Sequence, residues 1–294
     1  DTSLELTEST IRGGLDITDP NYKYSGNMVT GGISSKKTDS EDSGYENTIH
    51  SFNIGTRFEQ YDNIFLSPGL TLSFDDLKVD NTASSSMKKQ AGSFVDFTFG
   101  YGIQKDTRDR TFMPTDGSVI GFNQGIPLYA DEQASFFNRI SANKYHSFSD
   151  DVIGAIKFYA AAVVAIEDDV RLSKRANLSS KRLRGFEAGK VGPLDNNDYI
   201  GGNYATAMNF EANLPNLFPE SSRTEMSLFL DAANLWGVDY SSDIDDSNKI
   251  RSAAGSVINW TSPIGPMSLV FAQEISSAST DKTESFRFRI GTSF

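Results

Sequence analysis

Few side chains in this chain are suited to covalent chemistry. It has two histidines, His50 and His146, and no cysteine, so thiolate nucleophiles, disulfides and cysteine metal ligands are excluded. The sequence contains no H-E-x-x-H, G-x-S-x-G or phosphate-binding P-loop pattern. The acidic run at 243–246 lacks the mid-loop glycine and the final glutamate of a calcium-binding loop. We therefore predict a protein that is not an enzyme and that holds neither a metal nor a cofactor.

The chemistry that remains is ion pairing and hydrogen bonding. Arg184 lies in the segment 181–187, where it follows two basic residues and a leucine and precedes Gly185 and Phe186. A guanidinium group binds carboxylates through paired donors, and an enclosed guanidinium requires such partners. Two later segments each place a carboxylate between apolar neighbours, at Glu211 and at Asp231. A solvated arginine at the surface is the alternative interpretation of Arg184.

Strand-length alternation positions these residues. The last segment alternates cleanly, with one face formed by Phe286, Phe288, Ile290 and Phe294. The same alternation in 204–214 and 226–231 places Glu211 and Asp231 on the polar face of their segments. No run of about 18 apolar residues occurs, so the sequence predicts no membrane-spanning helix. The predicted fold class is all-β.

Alternation of this kind is typical of two architectures. A soluble sandwich turns its apolar faces inward, whereas a membrane barrel turns them toward lipid. Connection lengths favour the barrel, because short turns alternate with long, acidic loops. The short turns are 61–63 and 262–266, and the long loops are 36–47, 80–90 and 239–249. We predict an antiparallel transmembrane β-barrel with roughly thirteen strands present, and we expect further strands before Asp1 because single-chain bacterial barrels have even strand numbers.

The overall charge bears on possible partners. The formal charge is −12, from 27 basic and 39 acidic residues, and the basic residues form no stripe. Binding to nucleic acid depends on a basic surface, so no nucleic-acid partner is predicted.

Several motifs carry a resemblance to a known family. The Arg-Gly-Phe of 181–187 is followed by Gly-Pro at 192–193 and by Gly-Gly-Asn at 201–203. The other motifs are the D-x-R-D turn at 106–118, the hairpin at 260–266 and the aromatic terminus at 286–294. With them the chain resembles the Omp85 superfamily, also called the bacterial surface antigen D15 family, from near Thr10 to Phe294. It departs from the family at 176–180, where Gly-Gly is usual.

The resemblance implies roles for particular residues. The whole chain, 1–294, would form one barrel domain, with the first three of sixteen strands and the POTRA domains lying upstream of Asp1. The motif residues Leu183, Arg184, Gly185 and Phe186 would belong to a loop folded into the barrel lumen. In that position Arg184 would be bound by Glu211 and Asp231. The last strand would be a β-signal for assembly and one side of the barrel seam, through Phe286, Phe288, Ile290, Gly291 and Phe294.

The resemblance also implies a function. It indicates a factor in the outer membrane of a Gram-negative cell that folds and inserts β-barrel proteins without covalent chemistry. Its expected partners are unfolded β-barrel substrates, accessory assembly lipoproteins docked on the POTRA domains, the lipid bilayer and lipopolysaccharide. The alternatives are a translocation factor or a two-partner secretion pore of the same superfamily, and a passive porin. A loop that plugs the lumen argues against the porin.

Overall fold

A computed structural model describes residues 2–6, 10–39, 43–167, 169–219, 222–246, 248–262 and 265–290. Within these residues, fourteen strands form one antiparallel sheet in chain order, close to the number predicted from the alternation. They are β1 (Thr2–Leu6), β2 (Thr10–Asp19), β3 (Met28–Asp39), β4 (Tyr45–Tyr61), β5 (Ile64–Val79), β6 (Gly92–Asp106), β7 (Gly117–Ala130), β8 (Ser135–Ser149), β9 (Val152–Ala165), β12 (Tyr204–Leu214), β13 (Thr224–Trp236), β14 (Arg251–Ser262), β15 (Gly265–Ser276) and β16 (Phe286–Ile290). A separate short pair, β10 (Leu194–Asp195) and β11 (Asp198–Tyr199), lies between β9 and β12 in the chain.

Short helical segments occur in the connections. They are 3-10 turns at Tyr22–Tyr24 and Leu172–Lys174, and an α-helix, α1, at Ser85–Lys88. The hydroxyl of Ser84 caps α1, because it accepts a hydrogen bond from the N–H of Met87 at 3.1 Å. No helix in the described part of the chain is both long enough and apolar enough to cross a membrane.

Several strands are longer than a membrane crossing requires. A tilted strand crosses with about 9–11 residues, whereas β4 has 17 residues and β5 has 16. The predicted loop at 36–47 is therefore wrong in its bounds, because β3 continues to Asp39 and β4 begins at Tyr45. Polar cross-strand pairs accompany this extension, and Lys37 Nζ lies 2.9 Å from Glu46 Oε2. The described residues of this acidic, serine-rich stretch are therefore mostly paired strand, with Asp39 opposite Glu46.

The two faces of the sheet differ as the alternation predicts. On the outer face, Ile17 is 72% exposed and Ile54 is 59% exposed. On the inner face, Asn209 and Asp231 are buried, although both are polar. This combination of an apolar exterior and a polar interior is typical of strands that face lipid on one side.

The packed core lies between the inner face and the connection from β9 to β12. We call this connection the lumen loop; it comprises residues 166–203, all described except residue 168. The loop contributes the bulky buried residues Leu178, Leu183, Phe186 and Val191. The wall opposite them is rich in alanine, with Ala161, Ala205, Ala207, Ala233 and Ala253. Small wall residues leave room for the larger loop side chains, so the loop packs closely inside the sheet.

Candidate functional site

The backbone of the lumen loop is fixed where it carries the Arg-Gly-Phe motif. Phe186 forms an antiparallel bridge with Thr283, which belongs to the β15–β16 connection. Next to it, the N–H of Glu284 donates to the carbonyl of Gly185 at 3.0 Å. Because the motif runs beside another extended segment, its side chains have fixed directions.

Arg184 contacts both of the carboxylates that the resemblance assigned to it. Its Nε and Nη2 lie 2.7 Å and 2.6 Å from the two oxygens of Asp231, and its backbone N–H donates to Asp231 Oδ2 at 3.0 Å. Its Nη1 lies 2.9 Å from Glu211 Oε1. The side chain of Arg184 is only 8% exposed and that of Asp231 is fully buried. Charge-assisted hydrogen bonds are strong in such a shielded position.

Neighbouring side chains complete this arrangement. Lys157 forms an ion pair with Glu211 at 2.5 Å, and Asn209 Nδ2 donates to Asp231 Oδ1 at 2.7 Å. The cluster therefore holds two cations and two carboxylates, a balance that reduces the cost of burying charge. The guanidinium carbon of Arg184 also lies 3.8 Å from the centre of the Phe229 ring. We call this cluster the Arg184 site, and it consists of Arg184, Lys157, Glu211, Asp231 and Phe229.

The other motif residues pack the loop against the wall. Leu183 and Phe186 are each 2% exposed. Gly185 has a φ of +86°, a backbone conformation that side chains with a Cβ rarely adopt. A Cβ at this position would also lie 3.0 Å from the Ala253 Cβ and 3.1 Å from the Ala272 Cβ. Glycine here allows the loop to approach β14 and β15 closely.

Comparison with known proteins places this geometry in a family. The model of the Omp85 superfamily domain matches residues 2–294. The chain belongs to the Omp85 superfamily. Its fold is similar to the crystal structure of BamA from Haemophilus ducreyi lacking POTRA domains 1–3, with a TM-score of 0.83 and 22% identity, covering 98% of this chain and 63% of that chain. This likeness confirms the predicted fold, an all-β, antiparallel barrel.

Curated relatives of this Omp85 chain carry assembly names. The outer membrane protein assembly factor BamA of Neorickettsia risticii (strain Illinois) is 25% identical over 239 residues, which cover 79% of this chain and 32% of that protein. The sorting and assembly machinery component 50 homolog of Homo sapiens is 26% identical over 174 residues, covering 55% of this chain and 36% of that protein. The chain thus spans about a third of the length of these relatives.

The C-terminal segment that the sequence singled out is described only in part. Phe286, Phe288 and Ile290 form the outer face of β16 and are 49%, 45% and 58% exposed. Gly291 and Phe294 lie outside the described residues. On the inner face of β16, Arg289 Nη2 donates to the carbonyl of Ser180 at 3.1 Å. Arg287 Nη2 similarly donates to the carbonyl of Phe186 at 3.3 Å, so the last strand of this Omp85 barrel holds the lumen loop.

Sequence reasoning missed a second set of buried charges in the barrel. Arg171 is fully buried and forms ion pairs with Asp75 and Asp96. Arg251 is also buried and binds Asp281, with Nε 2.9 Å from Oδ2. The available signal was the position of Asp75 and Asp96 on the polar faces of alternating strands, the same feature that marked Glu211 and Asp231.

The β6–β7 turn, where the sequence has its D-x-R-D motif, is organised by Asp109. The hydroxyl of Thr115 donates to Asp109 Oδ2 at 2.7 Å, and the N–H groups of Thr115 and Asp116 donate to Oδ1 at 3.0 Å and 3.2 Å. These hydrogen bonds lower the pKa of Asp109 to about 2. The bond from the Thr115 hydroxyl is the largest cause, and the bonds from the N–H groups add to it. The two oxygens of this carboxylate thus accept three hydrogen bonds from within the turn.

Proposed function

We propose that this chain is the barrel of an outer-membrane assembly factor that folds and inserts other β-barrel proteins without covalent chemistry. The observation that carries the proposal is the similarity to an assembly factor, BamA, across 79% of the chain. The SAM50 homologue, whose name also denotes sorting and assembly, supports it. The proposed location is the outer membrane of a Gram-negative cell.

The physical basis of this function is backbone pairing in lipid. Within the hydrocarbon layer every N–H and C=O needs a partner, so an incoming chain is stabilised by pairing with a preformed strand. A template of this kind has to keep its shape. The Arg184 site supports such a role, because it fastens the lumen loop to β12 and β13 through Glu211 and Asp231. A loop packed inside the barrel also argues against a passive porin, which requires an open channel.

The proposed partners follow from the same role. Unfolded β-barrel proteins would be the substrates, and accessory lipoproteins would dock on POTRA domains of the same protein. The bilayer and lipopolysaccharide would surround the apolar outer face.

The test is depletion of the protein that carries this chain in its host, followed by quantitative proteomics of the outer membrane. We expect broad loss of unrelated β-barrel proteins together with induction of envelope stress. Loss of one exported protein alone would instead indicate a translocation factor or a two-partner secretion pore. An outer membrane of unchanged protein composition would indicate a passive pore. The loss of one exported protein alone and an unchanged composition would each contradict the proposal.

Complementation connects this test to the Arg184 site. Plasmid-borne wild type and Lys249→Ala, which removes an exposed cation of the β13–β14 connection, should both restore the outer-membrane proteins. Arg184→Ala should restore them poorly, because removing one partner of a buried ion pair costs about 3–5 kcal/mol. Full restoration by Arg184→Ala would show that the site is dispensable for assembly.

A further inference from the structure

The lumen loop carries a second arginine that is more deeply buried than Arg184. Arg171 is 0% exposed. Its Nη1 lies 3.3 Å from Asp75 Oδ2 on β5 and 3.1 Å from Asp96 Oδ2 on β6. Its Nη2 donates to the carbonyl of Glu132 at 2.7 Å. The beginning of the loop is thus held by the wall that β5 and β6 form.

The surroundings of Arg171 contain the same kinds of groups as those of Arg184. The guanidinium carbon of Arg171 lies 3.8 Å from the centre of the Phe94 ring, and Lys174 Nζ lies 2.7 Å from Asp96. We call this cluster the Arg171 site, and it consists of Arg171, Lys174, Asp75, Asp96 and Phe94. Like the Arg184 site, it has two cations, two carboxylates from neighbouring strands and one phenylalanine beneath the arginine.

The repetition extends to the strand sequence. Phe94 precedes Asp96 by two positions on β6, just as Phe229 precedes Asp231 by two positions on β13. Since residues two apart on a strand share a face, each pair presents a ring and a carboxylate to the same arginine. The guanidinium carbon lies 3.8 Å from the ring centre in both sites.

We infer that Arg171 fastens the lumen loop in addition to Arg184 and the β16 arginines, and that the loop therefore joins the β5–β6 wall to the β12–β13 wall. In the sheet these two walls are separated by β7, β8 and β9. A loop bound at both places limits how far the walls move relative to each other. When one site opens, the other keeps the loop near its partners and so favours rebinding.

The Arg171 site is the weaker of the two by its hydrogen bonds. Arg171 Nε and Asp75 Oδ1 are buried and have no hydrogen-bond partner among the described residues. At the Arg184 site, in contrast, Nε donates to Asp231 and each carboxylate oxygen of Asp231 accepts a hydrogen bond. Buried groups without partners lower the net stabilisation, so we expect the loop to open first at its Arg171 end.

Limited proteolysis of the full-length protein in outer-membrane vesicles tests this inference, with a protease that cuts after lysine and arginine. In the wild type the bond after Arg175 is protected, because Arg175 is 5% exposed. Arg171→Ala should speed cleavage after Lys174 and Arg175 at least about tenfold. Arg184→Ala should instead speed cleavage after Arg182, whose guanidinium carbon lies 3.3 Å from the centre of the Tyr159 ring in the wild type. The double variant should speed cleavage after Lys174, Arg175 and Arg182, and Lys249→Ala should match the wild type.

Two milder variants keep the test decisive if Arg171→Ala does not assemble. Arg171→Lys retains the positive charge but loses the second guanidinium nitrogen, which donates to the carbonyl of Glu132. Asp96→Asn retains the size of the side chain but loses its negative charge. Each should raise cleavage after Lys174 and Arg175 by a smaller factor than Arg171→Ala. Wild-type cleavage rates in all assembled variants would overturn the inference. Failure of all three to assemble, while Lys249→Ala assembles, would overturn it too, since Arg171 would then be required for folding rather than for fastening. The readout is loop cleavage, so it is independent of the proposed function.

Discussion

The guanidinium group of Arg184 lies over the ring of Phe229, with 3.8 Å between its central carbon and the ring centre. The same arginine is bound at its edge by Asp231, through Nε and Nη2. The ring face carries partial negative charge, so it attracts a cation from a direction that the carboxylates leave unoccupied. Phe229 is 5% exposed, and this burial strengthens the attraction.

Phe229→Leu should lower the free energy of unfolding by about 1–3 kcal/mol, because it removes both the ring face and some buried volume. The measurement is denaturant unfolding in lipid vesicles, followed by the fluorescence of Trp236 and Trp260. Phe210→Leu serves as the control, since Phe210 lies on the outer face and is 43% exposed. It should change the free energy of unfolding by less than about 0.5 kcal/mol. If the double variant Phe229→Leu/Arg184→Ala lost the sum of the unfolding free energies that the two single variants lose, a direct contact between the two side chains would be contradicted.

The two carboxylates of the Arg184 site should differ in importance. Asp231 accepts hydrogen bonds from three groups of Arg184 and from Asn209, whereas Glu211 pairs with Arg184 and Lys157. Asp231→Asn should therefore cost about 3–5 kcal/mol, and Glu211→Gln about 1.5–3 kcal/mol. The same unfolding experiment gives both values. Equal costs would contradict the predicted difference, and a reversed order would show that Glu211 is the principal partner.

Gly185→Ala should destabilise the barrel more than Gly189→Ala. Both glycines have a positive φ, so each substitution carries about 1–2 kcal/mol of backbone strain. A Cβ at Gly185 also meets Ala253 and Ala272, whereas a Cβ at Gly189 meets no atom within 4 Å. The added contact should cost about 1–3 kcal/mol more at Gly185. Equal unfolding midpoints for the two variants would mean that the loop moves away from the wall at no cost.

The β6–β7 turn should weaken in acid at an unusually low pH. The pKa of Asp109 is lowered to about 2 in the folded protein, whereas the pKa of an aspartate in an unfolded chain is about 3.9. The ionised carboxylate therefore stabilises the turn fully above a pH of about 4. That stabilisation is lost as the pH falls from about 4 to about 2. Carbon-13 NMR of the Asp109 carboxyl group should give a midpoint near the lower value. Thr115→Val should raise the midpoint, since it removes the largest cause of the lowered pKa.

A titration midpoint of about 4 for Asp109 in the wild type would contradict this account of the turn. Asp109→Asn serves as the control, because its spectrum identifies the Asp109 signal and its turn should not respond to pH in this range.

The alternation of side chains was sufficient to place Glu211 and Asp231 on the inner face. A strand sends successive side chains to opposite faces, so the face of each residue follows from its position relative to apolar neighbours. The same reasoning placed Phe286, Phe288 and Ile290 on the outer face of β16, where they are exposed. The strands of the sheet lie in chain order, and β9 pairs with β12 across the lumen loop.

Only the tertiary structure decided which buried charges meet. Arg171 is separated by 96 positions from Asp75 and by 75 positions from Asp96. The path of the loop through the lumen brings these groups together, and no period in the sequence encodes that path. The extent of the β3–β4 hairpin was likewise set by pairing between strands, where Lys37 meets Glu46. A local pattern determines the face on which a side chain lies, but its partner depends on register and loop path, which are properties of the folded chain as a whole.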